Sequence, residues 1–178
     1  MTKEYFDLPL DTLRILAGWA SDCAARALPL WEHPDTDRRP WVALERSRAF
    51  AQGGPRDNGL RKAAMDAYRA SREHRGPGGT AAQAASLAAA SAFTHPFRDA
   101  NQAKHILGPA VYAALALEAA SSRTTGVADD EIALAARTAP VEVVELLRKM
   151  PTQVPGQGRV GVLFCELDRQ IRDRSTAP

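Results

Sequence analysis

The chain has 178 residues, 45% of them hydrophobic and 25% charged, the proportions of a globular protein able to bury a core without disulfide or metal staples. Its 23 lysines and arginines face 21 aspartates and glutamates, a formal net charge of +2. Residues 1–75 carry 13 bases and 11 acids and residues 128–178 carry 7 and 8, so counted this way no stretch holds the concentrated positive field that nucleic acid requires of a partner.

Two cysteines, Cys23 and Cys165, form no CxxC, and the histidines His33, His74, His95 and His105 form no HExxH. A zinc site and a disulfide framework have no support, and no metal or other cofactor is expected. A reducing, cytoplasmic compartment is the simplest reading. Met1–Leu10 lacks the basic and apolar regions of a signal peptide. The uncharged run Thr80–Phe97 is mostly Ala, Ser and Gln, too polar for a membrane span.

Glycine and proline punctuate a run of helical patterns. After Asp11, residues Leu13, Leu16, Ala17, Ala20, Ala24 and Ala27 mark one helical stripe that Pro29 stops. Pro40 opens a second helix through Trp41, Leu44 and Phe50 to the break at Gly53-Gly54-Pro55. Asp57 or Asn58 caps a third, through Leu60, Ala64, Ala67 and Tyr68, ending in basic residues before the turn Gly76-Pro77-Gly78-Gly79.

From there to Ser122 only Arg98, Asp99, Lys104 and Glu118 are charged. The fourth and fifth helices, about 80–94 and 100–121, are therefore the alanine-rich central pair, because a helix apolar all round is a buried one. Asp129-Asp130-Glu131 place negative charge at the start of a sixth helix. Pro140 opens a seventh, and Val160, Leu163, Phe164, Leu167 and Ile171 line an eighth over about 159–174. The fold expected is all-α: one domain over residues 1–178, a bundle of about eight helices, with 1–10 an N-terminal extension and 175–178 a C-terminal tail.

Few residues invite chemistry. Trp19, Asp22 and Arg26 share a face of the first helix, with Asp22 and Arg26 in the favourable acid-first order for an ion pair. They fit a binding surface or a plain ion pair beside a core tryptophan. Trp41, Glu45 and Arg48 repeat the pattern on the second helix. If the two faces meet, two acids and two arginines form one network, as readily a device of packing register as a site. His105, Gly108 and Tyr112 lie on one stripe that could face a pocket, although no acid or nucleophile accompanies the histidine and a satisfied buried imidazole is the alternative. The glycine runs match no phosphate loop, and Ser86 and Ser91 lack a nucleophile elbow.

The stretch LRILAGWASDCAARALPLWEHPDTDRRPWVALERSRAFAQG from Leu13 resembles the opening of the Imm-5-like immunity protein family. The likeness lies in W-x-x-D-C-A-x-R at Trp19–Arg26, the following L-P-L-W-E, and R-P-W-x-A-x-E-x-x-R-A at Arg39–Ala49. TAAQAASLAAASAFTH, AKHILGPAVYAA and VVELLRKMPTQVPGQGRVGVLFCELD resemble its later parts, with a departure at Pro96-Phe97-Arg98-Asp99. The resemblance implies an all-helical cytoplasmic protein that binds and blocks a toxin of interbacterial competition, with no catalytic residues to carry over. Exposed Arg and Trp side chains of helices one to three would then anchor the toxin, and the chain would be a monomer or homodimer. Two other classes remain: a small-molecule-binding or enzymatic domain using Asp22, Arg26, Glu45, Arg48 and His105 around an interhelical cavity, and an oligomerisation domain with an exposed Ala/Leu stripe.

Overall fold

The computed structural model describes residues 4–123 and 125–174. Eight α-helices pack into one bundle: α1 (Leu10–Ala27), α2 (Arg39–Ala51), α3 (Asn58–Glu73), α4 (Pro77–Ser91), α5 (Ala100–Ala120), α6 (Val127–Thr138), α7 (Val141–Lys149) and α8 (Gly158–Arg172). A 3-10 turn, Leu28–Leu30, follows α1. No strand forms among the described residues, where the sole β feature is an isolated antiparallel bridge between Tyr5 and Phe97. This bridge ties the N-terminal segment to the Pro96 break, with Phe6 N–H donating to the Pro96 carbonyl and Arg98 N–H to that of Glu4.

Helices α4 and α5 occupy the centre, as the lack of charge predicts. Helix α4 packs against α1, α2, α3 and α5, while α5 also meets α6 and α8. One part of the core is almost pure alanine: Ala20, Ala24, Ala81, Ala84, Ala85, Ala88 and Ala116 are fully buried there. Such small side chains let helix axes approach closely, so backbone packing replaces large side chains. The other part is conventional, with Leu16, Ile106, Ile132, Leu147, Leu163 and Ile171 inaccessible to solvent; each such side chain contributes about 1.5–3 kcal/mol. Because the alanines face inward, the exposed Ala/Leu stripe expected of an oligomerisation domain is absent among the described residues.

Several boundaries moved for local reasons. Gly76-Pro77-Gly78-Gly79 is not a free turn: only Gly76 (φ 83°) stands outside, and Pro77 starts α4, a position where its missing N–H costs nothing. Gly79 is needed because a Cβ there would collide with the His74 carbonyl. Of the two proposed caps of α3, Asp57 serves, its carboxylate accepting from Leu60 N–H at 2.8 Å.

Buried polar groups cross-link the helices. Ser21 donates to Ser47 at 2.9 Å, and Ser47 donates to the Ala88 carbonyl at 3.1 Å, joining α1, α2 and α4. Trp19 Nε1 donates to the Ala135 carbonyl at 3.2 Å, holding α1 to α6. Asp168, 2% exposed, accepts from Arg172 and from Gln153 N–H.

Candidate functional site

Three of the residues singled out from the sequence, Trp19, Asp22 and Arg26, border one recess of about 540 Å³ between α1 and α6. Helix α1 presents them one turn apart. From α6 come Glu131, Leu134, Ala135 and Thr138. Trp19 supplies an apolar wall and not an exposed anchor, since it is 4% accessible.

The charge pairing differs from the expected one. Arg26 does not close on Asp22; its guanidinium forms a two-pronged pair with Glu131, at 2.5 and 2.6 Å, across a separation of 105 residues. The pair is asymmetric, the Glu131 side chain being 18% exposed and that of Arg26 47%. The Glu131 hydrogen bond holds the Arg26 pKa above its usual value. Asp22 instead lies 3.8 Å from Arg48 of α2, while Glu45 pairs with Arg38 at 2.7 Å. The faces of α1 and α2 thus touch at one loose ion pair, and the four-group network does not form. A side chain takes the partner that the helix crossing brings nearest, and spacing along one helix cannot reveal it.

Cys23 lies at the foot of the recess. Burial, reinforced by the nearby carboxylate of Asp22, pushes its thiol up to about 12. It is a neutral packing group there and not a nucleophile, because the reactive form of cysteine is the thiolate. The recess thus presents one neutralised ion pair, one exposed carboxylate and an apolar wall.

His105 and Tyr112 are elsewhere. A Cβ on Gly108 would come within 2.8 Å of Leu87, so Leu87 covers the stripe at that position. His105 is exposed beside a separate recess of about 210 Å³ with His95 and Phe93, its pKa lowered by partial desolvation and then by His95. Tyr112 is half-buried, its ring edge-on to Phe164 at 6.2 Å, and burial raises its pKa.

Residues 9–138 match the family described as Imm-5 like putative immunity protein. The chain belongs to this family. No curated protein and no solved structure matches it. The Imm-5-like match spans α1 to α6 and includes both walls of the recess; the C-terminal stretch likened to the family above lies beyond it.

Within the Imm-5-like span the structure also assembles a cluster that spacing gave no sign of. The His33 and His74 rings stand 4.4 Å apart, each edge-on to Trp31. Asp37, Glu73 and His74 offer ligand atoms close enough to share a metal ion. Arg39, however, grips both carboxylates, with Asp37 at 2.6 Å and Glu73 as the second partner. Its guanidinium neutralises the charge a cation would need and holds the Asp37 and Glu73 carboxyls below their usual range. The arrangement is that of a structural clasp between the loop after α1, α2 and the end of α3. No helix among the described residues is long and apolar enough to cross a membrane.

Proposed function

We propose that the protein is an immunity protein that binds a cognate bacterial toxin and neutralises it without catalysis. The observation that carries this reading is the family match over residues 9–138. The character of the recess supports it, since its strongest charges are already paired and its thiol is held protonated. Blocking a toxin needs a complementary surface of typically about 800 Å² per partner and no nucleophile or metal. The work is done in the cytoplasm, where the toxin would otherwise act on the producing cell or its kin.

The test is a growth assay in which a candidate toxin domain from the same genome is expressed with and without this chain, followed by co-purification. Rescue together with a stable complex is the expected result; toxin activity undiminished by excess protein, with no complex, would overturn the proposal. A second reading is favoured by the volume of the Trp19 recess, which lies within the range of small-ligand sites. On that reading a metabolite screen by thermal shift raises the melting temperature, and a Trp19→Ala variant loses the response.

A further inference from the structure

The net charge of +2 conceals a strong segregation. Residues 1–37 carry three bases and seven acids, whereas residues 38–75, which form α2, α3 and their flanks, carry ten bases and four acids. Within this basic layer α3 displays an ordered ridge. Arg61, Met65, Tyr68 and Arg72 recur at i, i+4, i+7 and i+11, with Arg75 just beyond the helix, and all five are exposed. Met65 and Tyr68, 49% and 44% exposed, form an apolar step between cationic ends.

The two ends are built differently. At one, Arg61 lies over the Phe93 ring at 4.5 Å and borders, with Met65, the small recess that holds His95 and His105. At the other, Arg72 and Arg75 pair with no carboxylate among the described residues. They line a largely polar hollow of about 330 Å³ with Ser71, Thr80 and Gln83.

We infer that this α3 ridge is the face that docks the toxin, and that the toxin surface it fits is acidic with a central apolar or aromatic side chain. The inference rests on the toxin-binding reading and names the partner's chemistry. Tyrosine, methionine and arginine are the residues enriched at protein interfaces. Two guanidiniums without internal partners attract carboxylates from outside, and complementary charge steers association. Nucleic acid fits less well. Asp66 and Glu73 flank the ridge on the same helix, paired with Lys62, Arg69 and Arg39, so a phosphate backbone laid across α3 would meet carboxylates beside its cations. The proposed toxin face is thus the electrostatic opposite of a nuclease cleft, which is lined by cations.

The decisive experiment is calorimetry with the candidate toxin domain of the growth assay, purified with its active site disabled, and with 20-nucleotide polyuridine as the second probe. Wild type, Arg72→Glu/Arg75→Glu, Tyr68→Ala and the exposed α8 control Arg169→Met are compared, with melting temperatures confirming that each folds. Support would be a wild-type complex weakened by added salt, and a loss of about thirty-fold or more in the α3 variants while Arg169→Met binds normally. A wild-type complex unchanged by both α3 variants would overturn the ridge and leave the toxin-binding reading intact. No wild-type complex would overturn that reading and the ridge with it. Polyuridine binding abolished by Arg72→Glu/Arg75→Glu, with toxin affinity unchanged, would assign the ridge to nucleic acid.

Discussion

The Arg26–Glu131 pair is the most quantitative test of how α1 and α6 are held around the recess. Two charge-assisted hydrogen bonds at 2.5 and 2.6 Å join a carboxylate whose side chain is 18% exposed to a guanidinium that is 47% exposed. Exposed pairs couple by about 0.2–1 kcal/mol, and hydrogen bonds to charged groups contribute about 1.5–3 kcal/mol. A half-screened, two-pronged pair therefore belongs near the junction, with a coupling of about 1–1.5 kcal/mol. The perturbations are Glu131→Gln, which keeps shape and removes charge, and Arg26→Met, which keeps the stem. Arg26→Met should be the costlier, at about 2 kcal/mol, because it leaves the more buried partner charged and unpaired. Glu131→Gln should cost about 1 kcal/mol, since the guanidinium left behind can still reach water. Urea unfolding of both single variants and the double variant yields the coupling directly, provided the m-value is constant. A coupling below about 0.3 kcal/mol, or a costlier Glu131→Gln, would refute the reasoning.

The serine relay should respond in a non-additive way. Ser47→Ala removes the acceptor of the buried Ser21 hydroxyl and should cost about 1–2 kcal/mol, whereas adding Ser21→Ala should cost little more, as chemical denaturation of the four-member cycle would show. Thiol titration at pH 8 should find one reactive cysteine in the native protein, the partly exposed Cys165, and two after unfolding, because Cys23 is buried with its thiol pushed up to about 12; a native Cys23 that labels as fast as a free thiol would contradict the burial. Stability should also fall on acidification. The Arg39 clasp lowers the Asp37 carboxyl and the Arg159 pair lowers that of Glu118, so each stabilises fully above its unfolded pKa of about 4 and progressively less as pH drops through the lower folded value. Melting curves from pH 7 to 2.5 should show this loss, and Arg39→Met or Arg159→Met should flatten it.

Helix placement was legible because it is a local property. The proline at the start of α2, the Asp57 cap and the apolar stripes of α1 and α8 act through neighbours a few residues away, and composition alone marks α4 and α5 as the buried centre. The start of α4 was misplaced where one local signal overruled another. The glycines before Thr80 resemble a turn until the carbonyl of His74 is seen to require one of them inside a helix.

Partnership, by contrast, was not written in spacing. Arg26 finds Glu131, Asp22 finds Arg48, and His33 finds His74, because folded helices set their neighbours by crossing angle and not by separation along the chain. Counting charge over residues 1–75 hid the basic layer in the same way, since the seven acids before residue 38 cancel its bases arithmetically although it is Asp22 and Asp37 among them that pair with it, at Arg48 and Arg39. The α3 ridge had a helical period any reader could find, but whether Arg61, Met65, Tyr68 and Arg72 face water or the core depends on which side of α3 the alanines of α4 cover. One-dimensional patterns specify helices and buried stripes because they act within a turn or two. Pairing, pockets and exposed faces arise from long-range packing, and only the folded bundle supplies it.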